Sequence, residues 1–200
     1  MAARMLIDEQ QLWRQFQRGD ENAFRELYQA HVRHLLNYGL RLNGSLSVVE
    51  DCIQDLFAEL WQYRKTLMQP ASIRFYLLKG LRNRLNARYR KDIPYASGWD
   101  TDPELPFPVE PSTEQRLIEL DMDNELRERV RRAMASLSPR QREILYLRYF
   151  NDLTYEQICE VTGVNYQTAR SQIYQALKTL RGEMKTSWLA VISALYWQFI

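Results

Sequence analysis

A set of polar and cationic side chains near the carboxyl end of the sequence could bind nucleic acid. The segment Leu153–Arg181 predicts two helices separated by Gly163, since glycine readily adopts the positive φ that a tight turn needs. The small Cys159 and apolar residues would fix the crossing of the two helices; the apolar residues are Ile158, Val161, Val164, Ala169 and Ile173. The outward positions of the second helix suit base edges and phosphates: Tyr166, Gln167, Thr168, Arg170, Ser171, Gln172, Tyr174 and Gln175. This pattern predicts a helix-turn-helix, and the alternative is a plain helical hairpin within a larger core.

A second candidate site is a stretch from Leu60 to Lys91 that contains no Asp or Glu. Its cations are Arg64, Lys65, Arg74, Lys79, Arg82, Arg84, Arg88, Arg90 and Lys91. Arginines hold phosphates and exposed aromatic rings stack on bases, so the nearby Tyr63, Phe75, Tyr76 and Tyr89 favour single-stranded or opening DNA. Each aromatic residue taken alone could instead be part of the hydrophobic core, and this is what we expect for Trp61 and Phe57. Asn83 could read a base edge from the same predicted helix.

A third candidate is an acidic helix face formed by Asp51, Gln54 and Asp55. Most such faces are simply solvated, but this one could dock a basic partner.

Other kinds of chemistry lack the residues that they need. His31 and His34 have no third ligand, so we expect no metal site, and no nucleophile–base pattern or phosphate loop is present. We therefore expect no cofactor, no small-molecule substrate and no enzymatic activity. Cys52 and Cys159 are predicted to be buried free thiols in a reducing cytoplasm, and the amino terminus lacks the apolar core of a secretory signal.

The elements that position these residues are predicted to be helices. Asp20 caps a helix from Phe24 to Leu36, Ser47 and Glu50 form a capping box for the acidic helix, and Ser72 caps a helix that buries leucines and exposes its arginines. The buried leucines would be Leu77, Leu78, Leu81 and Leu85. Farther along, the predicted caps are Ser112, which opens a helix to about Ser136, and Ser138, Thr154 and Asn165. The fold class is therefore all-α, with no useful strand pattern.

Domain boundaries follow from composition. Five of the seven prolines fall between residues 92 and 111, within an acidic stretch that predicts an extended linker rather than a packed core. We predict two small helical domains, 1–91 and 112–184, joined by this linker and followed by an apolar tail, 185–200, that is too short for a standard transmembrane helix.

Four segments resemble, in order, the extracytoplasmic-function sigma factors of the sigma-70 family. They are GDENAFRELYQAH, VEDCIQDLFAELW, RFYLLKGLRNRL and LSPRQREILYLRYFNDLTYEQICEVTGV, and the resemblance extends from about Leu12 to Arg181. It implies that residues 1–91 are sigma region 2, which docks on core RNA polymerase and recognises the −10 promoter element. It also implies that residues 112–184 are region 4, which reads the −35 element.

The resemblance assigns roles to particular residues. Asp51, Gln54 and Asp55 would dock on the β′ clamp helices, and region 4 would meet the β flap. The −10 contacts would be Arg64, Lys65, Tyr76, Lys79, Arg82, Asn83 and Arg84, including a loop from about Arg64 to Ser72. The −35 contacts would be Tyr166, Gln167, Thr168, Arg170, Ser171, Gln172, Gln175 and Lys178. An anti-sigma factor is the further partner that the family implies.

Some positions depart from the family pattern. Ala87-Arg88 replaces a common Asp-Tyr pair, and Gln172, Gln175 and Leu177 replace common basic residues. Fewer phosphate contacts in region 4 would lower the salt sensitivity of DNA binding. An autonomous helix-turn-helix regulator with an amino-terminal sensor domain is the main alternative. A helical module that binds a membrane through its last thirteen residues is another.

Overall fold

The structure is a computed structural model that describes residues 9–92, Phe107 and residues 124–184. All regular secondary structure in these ranges is helical, which confirms the all-α class. The helices are α1 Glu9–Gln17, α2 Glu21–Asn43, α3 Leu46–Tyr63, α4 Ile73–Asp92, α5 Asn124–Ala135, α6 Pro139–Tyr149, α7 Tyr155–Thr162 and α8 Tyr166–Met184. None of these helices is both long enough and apolar enough to span a bilayer.

The described residues divide into two compact units. Residues 9–40 and 45–85 lie in the first unit, and residues 41–44 lie with the described residues from 86 onward in the second. The start of the helix predicted from Ser112 and the apolar tail lie outside the described residues, and so do most of the predicted linker positions.

The helices of the first unit pack around an apolar core. Asp20 caps α2 as predicted, because its Oδ1 accepts hydrogen bonds from the backbone N–H groups of Asn22 and Ala23, at 2.8 and 3.2 Å. The four leucines predicted on α4 are all buried, at 0 to 1% exposure. Helix α1, which precedes Asp20, was not predicted from the sequence. It buries Leu12, Trp13 and Phe16 on one face.

The predicted capping box at Ser47 was wrong. The helix begins at Leu46, and its N-cap is Ser45, whose side chain makes no capping hydrogen bond. Gly44, at φ 76°, turns the chain directly after α2, so the next helix starts before Ser47 is reached. Ser47 therefore lies in the first turn of α3 rather than at its cap.

The second unit confirms the predicted caps at Ser138 and Thr154. Each forms a complete capping box, with Gln141 and Gln157 respectively, and Pro139 opens α6. The prediction that the linker is not part of a core was wrong at Phe107, which is 1% exposed. The Phe107 ring lies 5.7 Å from that of Tyr146, so a large apolar side chain between prolines still packs against this unit.

Candidate nucleic-acid interface

The turn between α7 and α8 has the geometry that the sequence predicts. Gly163 adopts φ 73°, and its N–H donates to the Cys159 carbonyl at 2.8 Å, which closes α7. Asn165 then caps α8 by accepting a hydrogen bond from the Thr168 N–H at 2.8 Å. A helix, a glycine turn and a newly capped helix together confirm the helix-turn-helix.

The crossing of α7 and α8 is fixed by a small apolar core. Ile158, Val161, Ala169 and Ile173 are buried at 0 to 3% exposure, whereas Val164 is only half-buried. Cys159, predicted to be buried, is also only half-buried. Partial burial, with a contribution from the Glu156 charge, raises the pKa of the Cys159 thiol.

Side-chain hydrogen bonds attach the end of α7 to its surroundings. The Thr162 hydroxyl is buried and donates to the Ile158 carbonyl at 2.7 Å. Arg140, near the start of α6, donates to the Thr162 carbonyl at 3.2 Å and pairs with Glu143 at 3.1 Å. The turn before α8 is therefore stabilised by a hydrogen bond from α6 as well as by the caps of α7 and α8.

The outer face of α8 is polar and accessible. The exposed residues of the predicted set are Tyr166, Gln167, Arg170, Ser171, Gln175 and Lys178, and the half-buried ones are Thr168 and Gln172. Tyr174 is 67% exposed on the same helix. Hydroxyl, amide and cationic groups therefore line one helix face that a DNA groove could accept.

The predicted −10 residues differ widely in exposure. Lys65 and Asn83 are exposed, and Arg64, Tyr76, Lys79 and Arg84 are half-buried. Arg82 has no exposed surface, so the prediction that α4 exposes its arginines was wrong at this position. Arg82 lies four residues after Leu78 and three before Leu85, both buried, and this spacing places it on the inner face of the helix.

Arg64 makes two contacts within the first unit. Its guanidinium donates to the Trp61 carbonyl at 2.6 Å and lies 4.3 Å from the centre of the Trp61 ring, a cation–π distance. DNA binding by Arg64 would have to compete with both contacts.

Arg84 is also held by the protein. Its guanidinium pairs with the Glu59 carboxylate on α3 and donates to the Gly80 carbonyl at 3.1 Å. Side-chain exposure is 24% for Arg84 and 57% for Glu59, so the pair is accessible to a competing phosphate.

Aromatic rings support the other predicted contacts on α4. The Tyr76 ring meets that of Trp13 edge-on at 5.9 Å, and the Lys79 ammonium lies 5.6 Å from the Phe75 ring. Burial raises the pKa of the Tyr76 hydroxyl, the nearby Glu59 raises it further, and Arg84 opposes the shift. The half-buried Tyr76 hydroxyl is therefore neutral at pH 7 and can take part in hydrogen bonds.

The loop from Arg64 to Ser72 has an accessible middle. Met68 is 88% exposed, and Gln69 and Ala71 are exposed as well. The side chain of Gln17, on α1, donates to the Leu67 carbonyl immediately before Met68. Neither Gln17 nor Met68 was predicted individually from the sequence. The spacing of Leu12, Trp13 and Phe16 is the signal that could have revealed α1.

The acidic face of α3 has the predicted exposure. Asp51, Gln54 and Asp55 are all exposed, while Cys52, Ile53 and Leu56 point to the core. Three acceptor-bearing side chains therefore share an outer surface that a basic partner could contact.

In the part of the chain that the structure describes, the two histidines do not belong to a metal-binding cluster. Residues 9–92, 107 and 124–184 contain no group of three or more His, Cys, Asp or Glu placed to hold an ion. His31 is buried, and His34, one turn away, is half-buried.

Comparisons with known proteins place these two units in a family. Residues 27–92 match the family described as Sigma-70 region 2, and residues 127–180 match Sigma-70, region 4. The ECF RNA polymerase sigma factor RpoE of Cereibacter sphaeroides is 31% identical over 170 residues, which cover 82% of this chain and 88% of that protein. The RNA polymerase sigma factor YlaC of Bacillus subtilis is 25% identical over 83% of this chain and 94% of that protein.

Two solved structures share the fold. One is CnrH in complex with the cytosolic domain of CnrY, with a TM-score of 0.56, 19% identity, and coverage of 88% of this chain and 97% of that one. The other is the sigma factor RpoE of Bartonella quintana in complex with the anti-sigma factor NepR, with a TM-score of 0.54, 19% identity, and coverage of 82% and 98%. With its region 2 and region 4 matches and a relative that aligns over most of both sequences, the chain belongs to the extracytoplasmic-function sigma factors of the sigma-70 family.

Proposed function

We propose that this protein binds core RNA polymerase, recognises the −10 and −35 elements of its promoters and promotes DNA melting. The observation that carries the proposal lies in the first unit. There, α3 exposes Asp51, Gln54 and Asp55, and the loop that follows it exposes Lys65 and Met68. One small unit thus exposes both an acidic helix face that suits a basic partner and a loop with an accessible cation that suits DNA, a combination that an autonomous regulator would not require.

The −35 element is assigned to the outer face of α8. Arg170 and Lys178 would contact phosphates, because they are exposed cations on that face. Tyr166, Gln167, Thr168, Ser171, Gln172 and Gln175 would face base edges. Because only two cations of the predicted set serve phosphates, we expect a shallow salt dependence for this half of the interface.

The −10 element is assigned to the loop and to the exposed side of α4. Asn83 and Lys65 are exposed, and the half-buried Lys79 and Tyr76 lie one and two turns before Asn83 on α4. Arg64 and Arg84 would exchange their protein partners for phosphates. The buried Arg82 is assigned to the support of this surface rather than to a direct DNA contact.

Docking on polymerase is assigned to Asp51, Gln54 and Asp55, with the β′ clamp helices as the basic partner. Region 4 would contact the β flap, and an anti-sigma factor would regulate access to these surfaces. The protein would act in the cytoplasm and would itself catalyse no reaction, since its contribution is binding and the strand opening that binding energy supports.

The test is run-off transcription with purified core polymerase on a pool of promoter fragments, with and without the protein. Discrete new start sites are expected. Asp55→Arg should abolish association with core polymerase, whereas Glu26→Arg, a charge reversal at an exposed site on α2, should not. Asn83→Ala should retain association and lose promoter opening, with Asn22→Ala as its matched control.

The contrary result is equally specific. Promoter binding without polymerase, together with no association between protein and core enzyme, would replace this proposal with an autonomous regulator.

A further inference from the structure

The loop between α3 and α4 is anchored at both ends and open in the middle. At its start, the Tyr63 carbonyl accepts hydrogen bonds from the Thr66 N–H at 2.9 Å, the Leu67 N–H at 3.2 Å and the Thr66 hydroxyl at 3.0 Å. At its end, the Ser72 hydroxyl accepts from the Phe75 N–H at 3.2 Å, and Ile73 is 3% exposed. The residues between these anchors are 68–71, which we call the loop tip.

A third anchor comes from a distant part of the sequence. The Nε2 of Gln17 donates to the Leu67 carbonyl at 2.5 Å, across 50 positions of the chain. Leu67 directly precedes the loop tip, so this bond fixes the point from which Met68 projects. The Gln17 side chain is itself partly buried, so solvent competes for the bond only in part.

The helix that carries Gln17 is held by an apolar face. This buried face of α1 consists of Leu12, Trp13 and Phe16, and the rings of Trp13 and Phe16 meet at 5.2 Å. Directly after α1, a Cβ placed on Gly19 would lie 3.6 Å from the Arg64 Nε, so the chain that leaves α1 passes near the start of the loop. The hydrogen bond from Gln17 to Leu67 then joins α1 to the loop itself.

We infer that Gln17 is a positioning residue for −10 recognition. This inference rests on the proposed function, in which the loop tip meets the −10 element. A recognition loop that is held in its binding conformation before DNA arrives loses less conformational entropy on binding. Gln17 touches no DNA itself; it acts by setting where the Leu67 carbonyl, and therefore the tip, lies.

The test replaces Gln17 with Met, which has nearly the same shape but cannot donate a hydrogen bond. The matched control is Gln15→Met, an identical change at an exposed position of the same helix. The readout is transcription by the reconstituted holoenzyme from a promoter that it recognises, relative to one with a substituted −10 base. The ratio of transcription from these two promoters measures −10 discrimination. Loss of one hydrogen bond should lower this ratio about fivefold in Gln17→Met, and the ratio should stay unchanged in Gln15→Met.

A second readout separates positioning from general stability. Amide hydrogen exchange at Thr66 and Leu67, whose N–H groups donate to the Tyr63 carbonyl, should accelerate in Gln17→Met. Exchange elsewhere in α3 and α4 and the affinity for core polymerase should match the wild type. Equal losses of affinity for core polymerase and of −10 discrimination would overturn the inference, since they would indicate a damaged fold. Unchanged exchange and discrimination would overturn it as well.

A loop-tip variant distinguishes failure of the inference from failure of the proposed function. Met68→Ala changes an 88% exposed side chain and should impair −10 discrimination. If Met68→Ala and Gln69→Ala both leave discrimination intact, the assignment of the loop to the −10 element fails, and the role of Gln17 fails with it. If the tip variants impair discrimination and Gln17→Met does not, only the positioning role is overturned.

Discussion

The Nε of Arg142 donates a hydrogen bond to the Phe107 carbonyl at 2.5 Å, joining residues 35 positions apart. The same guanidinium donates to the carbonyls of Met134 and Leu137, at 3.3 and 2.5 Å, near the end of α5. One buried side chain therefore satisfies backbone acceptors from two separate segments of the second unit.

Arg142→Met should destabilise the second unit. The substitution keeps most of the apolar volume and removes the donors to three carbonyls, so we expect a loss of about 2–4 kcal/mol in the free energy of unfolding. Urea unfolding followed by circular dichroism measures it. Arg132→Met, at an exposed position of α5, is the control and should change stability by less than about 0.5 kcal/mol. Equal effects of the two variants would contradict the role of Arg142.

His31 should make the first unit sensitive to acid. Burial is the main reason that its pKa falls from 6.5 to about 4, and the charges of Arg74 and His34 add to the shift. The Nδ1 atom is buried, with no hydrogen-bond partner in the described part of the chain. Because the folded-state pKa lies below the unfolded one, stability is full above pH 6.5 and declines as the pH falls toward 4. The shift corresponds to about 3 kcal/mol over that window.

The measurement for His31 is the free energy of unfolding at several pH values between 7.5 and 4. His31→Leu should make the free energy of unfolding nearly independent of pH between 6.5 and 4, whereas His34→Gln should leave most of the pH dependence in place. A wild-type slope in His31→Leu would show that other groups cause the acid sensitivity.

Gly39→Ala should destabilise the contact between α2 and α3. A Cβ at Gly39 would lie 2.4 Å from the Val49 Cγ1, and Val49 is fully buried and stiff at χ1. We expect a loss of about 1–3 kcal/mol by thermal or urea unfolding. The double variant Gly39→Ala/Val49→Ala lacks the clashing methyl groups of Val49. Its loss in the free energy of unfolding should be smaller than the sum of the losses in the two single variants.

The control for this glycine is Gly182→Ala in α8, where a Cβ would meet nothing within 4 Å. That change should stabilise its helix by up to about 1 kcal/mol. A stabilising Gly39→Ala would show that the two helices can separate freely at this point.

Glu59→Gln should strengthen binding to promoter DNA that contains the −10 element. In the wild type, Arg84 must leave the Glu59 carboxylate before it can contact a phosphate, so neutralising Glu59 removes this competition. We expect the affinity to rise by up to about fivefold at low salt, and the gain should shrink as salt screens the charges. Fluorescence anisotropy of labelled fork DNA with holoenzyme at several salt concentrations measures the affinity. Glu26→Gln, at an exposed site on α2, should leave it unchanged. An unaltered affinity in Glu59→Gln would argue that Arg84 does not contact phosphate.

Local signals explain why the second unit was predicted well. The capping boxes at Ser138 and Thr154, the turn at Gly163 and the cap at Asn165 each involve residues at most four positions apart. Such interactions are written directly in the sequence and need no knowledge of the tertiary fold. The exposure of Asp51, Gln54 and Asp55 followed in the same way from the apolar stripe of α3.

The errors have two causes. Local signals were misinterpreted at two positions. Gly44 turns the chain so that α3 begins before Ser47. Arg82, although it lies among cations, shares the buried helix face of Leu78 and Leu85.

The other differences depend on tertiary packing. Phe107 is surrounded by prolines and acids, and its burial follows from residues that are distant in the sequence. Its carbonyl accepts a hydrogen bond from Arg142, and its ring lies near the Tyr146 ring and the Arg41 guanidinium. The hydrogen bond from Gln17 to Leu67 spans 50 positions, and no short sequence motif predicts it. Contacts between residues so far apart in the sequence become evident only in the tertiary structure.

The caps of the second unit also bear on the speed of folding. Ser138, Thr154 and Asn165 define the starts of three consecutive helices through contacts between residues three positions apart. Domains dominated by such short-range contacts lose little chain entropy before their helices form, and they fold within microseconds to milliseconds. Helix α8 thus belongs to a segment in which the start of each helix is specified by nearby residues, an arrangement that favours rapid folding.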